Sequence, residues 1–460
     1  MAEKLTEDKE DKKSKALDGG YGWVVIFAIV AINSALSPIV VCFGMLYEAK
    51  FLEMGITASQ ISFLLHLNNS LQCALGLFSG PLLKVFTNKQ IVLGGGCLSC
   101  LSLVLTTLSW RYEYLLCTIG VMLGVGNGIL MPATYMMVYS YFEKKLALAI
   151  SLQVTGSCLI GIFMPQVCHF LLQYYGVQGT VLIFAGFALN MFPAALLLHP
   201  LKGREYKNKK TSKIILPHDD KNGLNDKLIS TNNNNSLPKE KKNMCRSVTK
   251  LFDFKLFTEA TYVILALGMG VSFASELNTI VMTPFVLTRL NGFNIQELAI
   301  AISWLSSTDL TGRLVVPFIT YKMNLPPKVC YVCSLMASSI GRTIMAVFYD
   351  QKYIVLIGVA TLGLGKGSKA VFQSLILPRY VEYERLAAAN GLLMVTNGIL
   401  SLVVGPVIGL AHDLANSYIY SLYATTALSM FCVILWSCDY LIRPKVKKVT
   451  EESSSTESNA

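Results

Sequence analysis

The stretch ELAIAISWLSSTDLTGRLVVPFITY, residues 297–321, is mostly apolar and, at 25 residues, long enough to cross a bilayer, yet it carries Asp309 and Arg313. Their i, i+4 spacing places both groups on one helix face. A charge at membrane depth costs several kcal/mol unless it is paired or hydrated, so an ionisable residue there marks a substrate or proton path by default. The competing explanation is a self-neutralised structural ion pair.

The rest of the chain repeats this length. Of its 460 residues 53% are hydrophobic and only 15% charged, with a mean hydropathy of +0.51, which excludes an ordinary soluble globular protein. Twelve runs are long enough to span, at 24–46, 61–83, 91–109, 115–138, 147–171 and 180–198, then 260–286, 298–321, 329–348, 354–377, 387–410 and 418–442. The expected fold is therefore an all-α polytopic membrane protein of twelve transmembrane helices in two six-helix bundles. Its divisions are a tail (1–17), a first bundle (18–200), a basic loop (201–257), a second bundle (258–443) and a second tail (444–460). The first 17 residues are a mixed-charge run without the architecture of a cleavable signal. With twelve spans both tails are expected in the cytosol. Short loops agree: Lys84, Lys89, Lys144, Lys145, Lys322, Lys328, Arg379 and Arg385 fall inside, against Lys50, Arg111, Arg289 and Lys352 outside.

The net charge of +11 needs no nucleic acid to explain it, because fourteen Lys/Arg against six acids lie between Lys202 and Lys255. This Asn- and Lys-rich loop reads as a disordered, solvated tether, with attraction to the anionic surface of the lipid bilayer as the lesser reading. Asn234-Asn235-Ser236 fits a glycosylation sequon, which a cytosolic loop would not use. Of the twelve cysteines only Cys245 lies away from the spans. The CxxC pairs Cys97/Cys100 and Cys330/Cys333 have no matching histidines and read as small packing residues, so no metal is expected. No P-loop, GxSxG or paired-histidine motif occurs, which excludes the familiar soluble-enzyme classes.

Six spans, a long basic linker and six more spans is the layout of a major facilitator type transporter. Three segments resemble one family within it, the monocarboxylate transporters. Asp18-Gly19-Gly20-Tyr21-Gly22-Trp23, at the mouth of the first span, is similar to the family's D-G-G-W-G-W with tyrosine for the first tryptophan. Tyr141-Phe142-Glu143-Lys144-Lys145, with Leu148-Ala149 and Gly156, resembles the second signature, although Ser151 and Gln153 replace its usual glycine and alanine. The run 384–393, ERLAAANGLL, with Gly405-Pro406 and Asp413, resembles the connection from the tenth to the eleventh span. Physically, Tyr21 and Trp23 suit a headgroup boundary, the glycines permit a sharp turn into the span, and Lys144 and Lys145 mark the cytosolic edge. These read as architectural.

The resemblance implies that Arg313 holds a substrate carboxylate and that Asp309 exchanges a proton. The chain departs from the family in the first span, where a lysine often serves proton-coupled members: no Asp, Glu, Lys, Arg or His lies between Trp23 and Glu48. That departure argues against strict proton symport. Lys366 and Lys369 interrupt the tenth span and offer compensation. At about 1.5 Å per residue from the outer end, Asp309 and Lys366 share a depth of roughly 18 Å, with Lys369 about 4.5 Å and Arg313 about 6 Å deeper. Arg313, Lys366 and Lys369 against Asp309 and Glu276 leave one net positive charge, which favours an anion. Alternatively, Glu276 pairs with a lysine as an outer gate. Arg342 is expected to snorkel toward Asp350. His66, Asn68, Asn69, Asn127 and Gln153 are equally suited to substrate contact and to interhelical bonding.

The expected function is alternating-access transport of a small organic anion, most simply a monocarboxylate, across the plasma membrane. No cofactor is expected beyond a co-transported proton, and the resemblance implies a single-span glycoprotein as escort. The rival readings are an uncoupled carrier of amino acids or similar zwitterions, with Glu276 meeting the amino group, and a non-transporting sensor on a carrier scaffold.

Overall fold

The computed structural model describes residues 19–108, 111–142, 145–199, 254–323, 325–381 and 385–442. The expected tails, nearly all of the basic loop, and Asp18, Glu143, Lys144 and Glu384 of the signatures lie outside the described residues.

Among the described residues, twelve helices cross the molecule. They are α1 (Tyr21–Glu53), α2 (Ala58–Val85), α3 (Asn88–Thr106), α4 (Tyr112–Tyr141), α5 and α6 (146–175 and 177–196), α7 (Ala260–Leu290), α8 (Ile295–Lys322), α9 (Pro327–Val347), α10 (Lys352–Tyr380), α11 (Leu386–Ala415) and α12 (Tyr418–Ile442). Among the described residues, nine helical segments are long and apolar enough to cross a membrane, one of which, Ala149–Leu196, contains both α5 and α6. Polar side chains interrupt the runs of the other two, α2 through His66, Asn68 and Asn69 and α8 through Asp309 and Arg313.

Local chemistry sets several ends. Thr57 and Thr87 cap α2 and α3 in reciprocal boxes with Gln60 and Gln90, each of which accepts from the backbone N–H of its threonine. Pro327 occupies the first turn of α9, where a missing N–H costs nothing. Between α5 and α6 the chain reverses at Gly176, whose φ of 64° is open to glycine at no steric cost. The return is visible in the contacts: His199 and Leu197 meet Tyr21 and Tyr141 at the face where α5 began. Both ends of the described chain, Gly19 and Ile442, lie on that same face, called here the termini face.

Antiparallel packing of α2 on α11 joins the first six helices to the last six. Its bonds run from the opposite, far face to mid-membrane: Ser62 Oγ donates to the Gly405 carbonyl (2.8 Å), His66 Nδ1 meets Ser401 Oγ (2.5 Å) and Ser70 Oγ donates to the Gly398 carbonyl (2.6 Å). At the far face Glu48 of α1 accepts from Thr288 Oγ1 (2.6 Å) and Arg289 Nε (3.1 Å) of α7.

There too, the Asp413 carboxylate of α11 accepts from the N–H groups of Ala58 and Ser59, both at 3.0 Å, and from Ser59 Oγ at 2.5 Å. These are first-turn donors of α2, which a helix cannot satisfy internally. With Thr57 serving Gln60, the N-terminus of α2 is capped partly by its own chain and partly by the other half. Asp413→Ala is expected to weaken far-face closure by about 1–3 kcal/mol. The check is the rate at which a Ser62→Cys thiol reacts with an impermeant reagent from the far face: an increase of about tenfold supports the latch, and an unchanged rate removes it.

Candidate functional site

The site begins where α8 and α10 run side by side in the same direction from the far face. Their backbones touch: a Cβ built on Gly363 or Gly367 of α10 would run into the Leu305 or Asp309 backbone of α8, so only glycine permits this approach. Closeness brings a lysine of α10 within reach of an acid on α8. Asp309, 6% exposed, receives Arg313 Nε on Oδ1 at 2.8 Å and Lys366 Nζ on Oδ2 at 3.1 Å, with Arg313 Nη2 3.4 Å from Oδ2. Two cations thus share one carboxylate, leaving a net positive charge. Asp309 uses the Nε side of the guanidinium and leaves its Nη1 corner for another acceptor.

A second pair lies beside it. Lys369, 1% exposed, donates to the Ser272 carbonyl at 3.0 Å and forms an ion pair with Glu276 of α7. Lys369, expected to lend its field to a ligand, and Glu276, expected to handle a proton or an amino group, instead engage each other. Of the two arrangements open at the level of sequence, the structure adopts the Glu276–lysine pair. One surplus cation accordingly resides in the Asp309 cluster.

Arg342 corrects an expectation. Rather than reaching toward Asp350, it is 1% exposed, and its guanidinium donates to Ser275 Oγ of α7 and Ser429 Oγ of α12, each at 2.8 Å, and to the Ser338 carbonyl at 3.2 Å. It points into the bundle because neutral hydroxyls on two neighbouring helices satisfy its donors there. It ties α7, α9 and α12 together.

Across from these charges a cavity of about 400 Å³ lies between the first half and α7, whose Leu277, Ile280, Val281 and Pro284 close one side. Amide side chains line it from four helices: Asn33 of α1, Asn68, Asn69 and Gln72 of α2, Asn127 of α4 and Gln153 of α5. None of the lining residues is charged, but α5, which supplies Gln153 and Cys158 to its wall, packs against α8 one turn from Asp309, where a Cβ on Gly161 would stand 3.1 Å from Ser306 Oγ. The Asp309 cluster therefore borders the cavity. Two amides are held by neighbours: Asn68 Nδ2 donates to the Ile119 carbonyl (2.6 Å) and Asn127 Oδ1 accepts from Ser99 Oγ (3.3 Å). Ile119 belongs to a π-helical stretch, Leu116–Leu123, an irregularity often found at functional positions. Gln153, fully buried, has no hydrogen-bond partner for either amide atom among the described residues.

Of the residues singled out from sequence, Asp309, Arg313 and Lys366 form one cluster, Asn127 and Gln153 line the cavity, and Lys369 with Glu276 forms the flanking pair. The described part of the first signature lies elsewhere. Gly19 and Gly20 open α1, Gly22 lies under Phe142, and Trp23 meets the Phe142 ring edge-on at 5.1 Å. Lys145 is exposed just ahead of α5. These residues join the ends of α1 and α4, a packing role. His66 bonds across to α11 and does not line the cavity. Asn33 and Gln72 were not anticipated; the signal available was an amide within an apolar run, and for Gln72 its spacing of three and four from Asn69 and Asn68.

Comparison with known proteins shows the family of the fold. The family model described as Major Facilitator Superfamily matches residues 20–325. Human monocarboxylate transporter 2 is 25% identical over 426 residues, covering 91% of this chain and 85% of that protein. Monocarboxylate transporter 12 of Xenopus laevis is 22% identical, covering 96% and 94% respectively. Among solved structures, a point mutant of the nucleoside transporter NupG superposes with a TM-score of 0.67 at 11% identity, covering 91% of this chain and 98% of the other, a likeness of fold alone.

Proposed function

Because this chain belongs to the Major Facilitator Superfamily, and is a multi-pass membrane transporter, we propose that it carries small monocarboxylate anions across the plasma membrane by alternating access, with both termini cytosolic. The moving bodies are 18–200 and 258–443, rocking about the cavity, with 201–257 as their tether. One observation carries the reading: the Asp309 carboxylate is shared by Arg313 and Lys366 at the edge of an uncharged cavity. A single carboxylate entering there neutralises the surplus cation. A guanidinium receives it through a planar fork that a lysine lacks.

Two forms of the cycle follow. In the coupled form, the incoming carboxylate draws Arg313 away from Asp309, and Asp309 takes up a proton that travels with the substrate. In the uncoupled form, the anion alone balances the cluster; Asn33 and Ser37, neutral cavity residues of α1, favour this form because no basic side chain stands there. The commitment of Glu276 to Lys369 argues against an ammonium site, and so against zwitterions. Similarity to monocarboxylate transporters also supports a single-span glycoprotein as escort.

Uptake by proteoliposomes of labelled lactate, pyruvate, ketone bodies and aromatic amino acids, at two external pH values, tests the reading. Carboxylate uptake is expected, driven by external acid in the coupled form and indifferent to pH in the uncoupled one. Uptake confined to amino acids, or no uptake of any probe, would contradict the assignment.

A further inference from the structure

From the way Asp309 is held, we infer that Lys366 takes the place of a coupled proton and makes this carrier an electrogenic uniporter, in which each monocarboxylate crosses with its own charge, driven by membrane potential and not by acid. The inference rests on the carboxylate reading and deepens it by selecting the uncoupled form of the cycle. Its observation is a second counter-ion. Asp309, buried, has Arg313 Nε on one carboxylate oxygen at 2.8 Å and Lys366 Nζ on the other at 3.1 Å.

An ionised carboxylate out of water needs a compensating charge, and one whose sole partner leaves must take a proton instead. Here the group that meets substrate is not the sole partner. Arg313 and Lys366 keep 18% and 22% of their side chains accessible, so a ligand can reach the guanidinium. Whether substrate takes the free Nη1 corner or draws the whole group away, Lys366 stays on Asp309. The helices enforce this: Gly312 of α8 lies against Leu364 and Ser368 of α10, and Gly363 and Gly367 of α10 lie against α8 at Leu305 and Asp309, which keeps the lysine stem and the carboxylate at a fixed separation. Charge then balances without a proton. The cluster is +1 when empty and neutral with one carboxylate bound, Asp309 being ionised throughout. Lys369 and Glu276 cancel each other, and Arg342, tied to neutral hydroxyls, adds the same charge to both states. Besides α10, α8 packs against α5, the far-face part of α1 and the end of α7. Of the titratable groups these bring, Cys158 of α5, like Tyr135 of α4, is neutral at ordinary pH, and His169 of α5 stands more than two turns beyond Gly161 toward the far face. At that face Glu48 of α1 bonds Arg289 of α7, Lys50 bonds Glu53, and Lys352 of α10 bonds Glu297.

The test uses the full chain in proteoliposomes with labelled lactate, uptake by protein-free vesicles being subtracted. One arm imposes an inside-positive potassium and valinomycin potential of about 100 mV at equal pH; the other imposes an acid exterior at zero potential. The wild type is expected to accumulate lactate about fortyfold under the potential, the ratio that one elementary charge sustains at about 100 mV, and to show no accumulation under the acid gradient. Lys366→Gln should exchange the two responses, because the cluster is then neutral when empty and an added carboxylate requires a proton on Asp309. Adding Asp309→Asn to that variant leaves Arg313 as the cluster's one charge and should return uptake to the potential; the driving force, not the rate, is the readout. Should Lys366→Gln fail to fold, the wild type and the double variant decide. Acid-driven uptake by the wild type, or a Lys366→Gln carrier still driven by potential alone, overturns this inference and, where Arg313→Gln abolishes the uptake, leaves the carboxylate reading intact. No carboxylate uptake under either force overturns both.

Discussion

Uptake of a monocarboxylate should fall by at least about a hundredfold when Arg313 is replaced by alanine or glutamine, with the protein still reaching the membrane. Two losses combine. The substrate loses its fork of charge-assisted donors, and the cluster drops from a net positive charge to neutrality, since Lys366 then balances Asp309 alone. Truncating one partner of a buried, hydrogen-bonded charge pair in a binding site costs about 2–5 kcal/mol, here the pair of Arg313 with the substrate, and about 3 kcal/mol of that in the transition state is about a hundredfold at 1.4 kcal/mol per decade. Arg313→Lys should recover only part of the activity, because a point charge of shorter reach cannot reproduce planar recognition. Initial rates normalised to surface protein are the measurement. Wild-type rates in Arg313→Ala would remove the carboxylate assignment.

Glu276→Gln is expected to have the next largest effect, through a different route. It leaves the Lys369 ammonium buried at 1% exposure with neutral acceptors in place of a carboxylate, among them the Ser272 carbonyl. An uncompensated ammonium there should destabilise the protein by about 3–5 kcal/mol, seen as lower thermal stability in detergent and reduced transport. Adding Lys369→Met should restore much of the lost stability, since it removes the uncompensated buried charge that the first substitution leaves. That cycle separates structure from binding. If the double variant is stable and binds substrate normally, the pair is structural; if it is stable and binds poorly, Lys369 or Glu276 belongs to the ligand site. A double variant no more stable than Glu276→Gln would refute the pairing energy assigned here.

The architecture was legible because a bilayer imposes one length on every crossing, so the count of apolar runs maps directly onto helices. Counting depth put Asp309 and Lys366 at one level, since α8 and α10 descend in the same direction from the same face, but it did not pair them, as the structure does. Rotation about each helix axis was not legible. That is why the preference of Glu276 for Lys369 remained open, and why Arg342 was sent toward Asp350 when Ser275 and Ser429, far away in the chain, take its donors. Hydroxyls are common in membrane helices, and nothing in their spacing announces a guanidinium partner. The same blindness hid the link from Asp413 to Ala58 and Ser59, which spans some 350 positions and depends on how the halves meet.

That link bears on what turnover demands of the protein. If the far face must part for substrate to pass, the first turn of α2 sheds its borrowed acceptor in every cycle, and its amides must turn to water until the halves meet again. Hydration of the parted groups would then set part of the difference in free energy between the two orientations. An outward-facing population tuned through solvent at a helix end, rather than through the binding residues, would let affinity and cycling rate be adjusted independently.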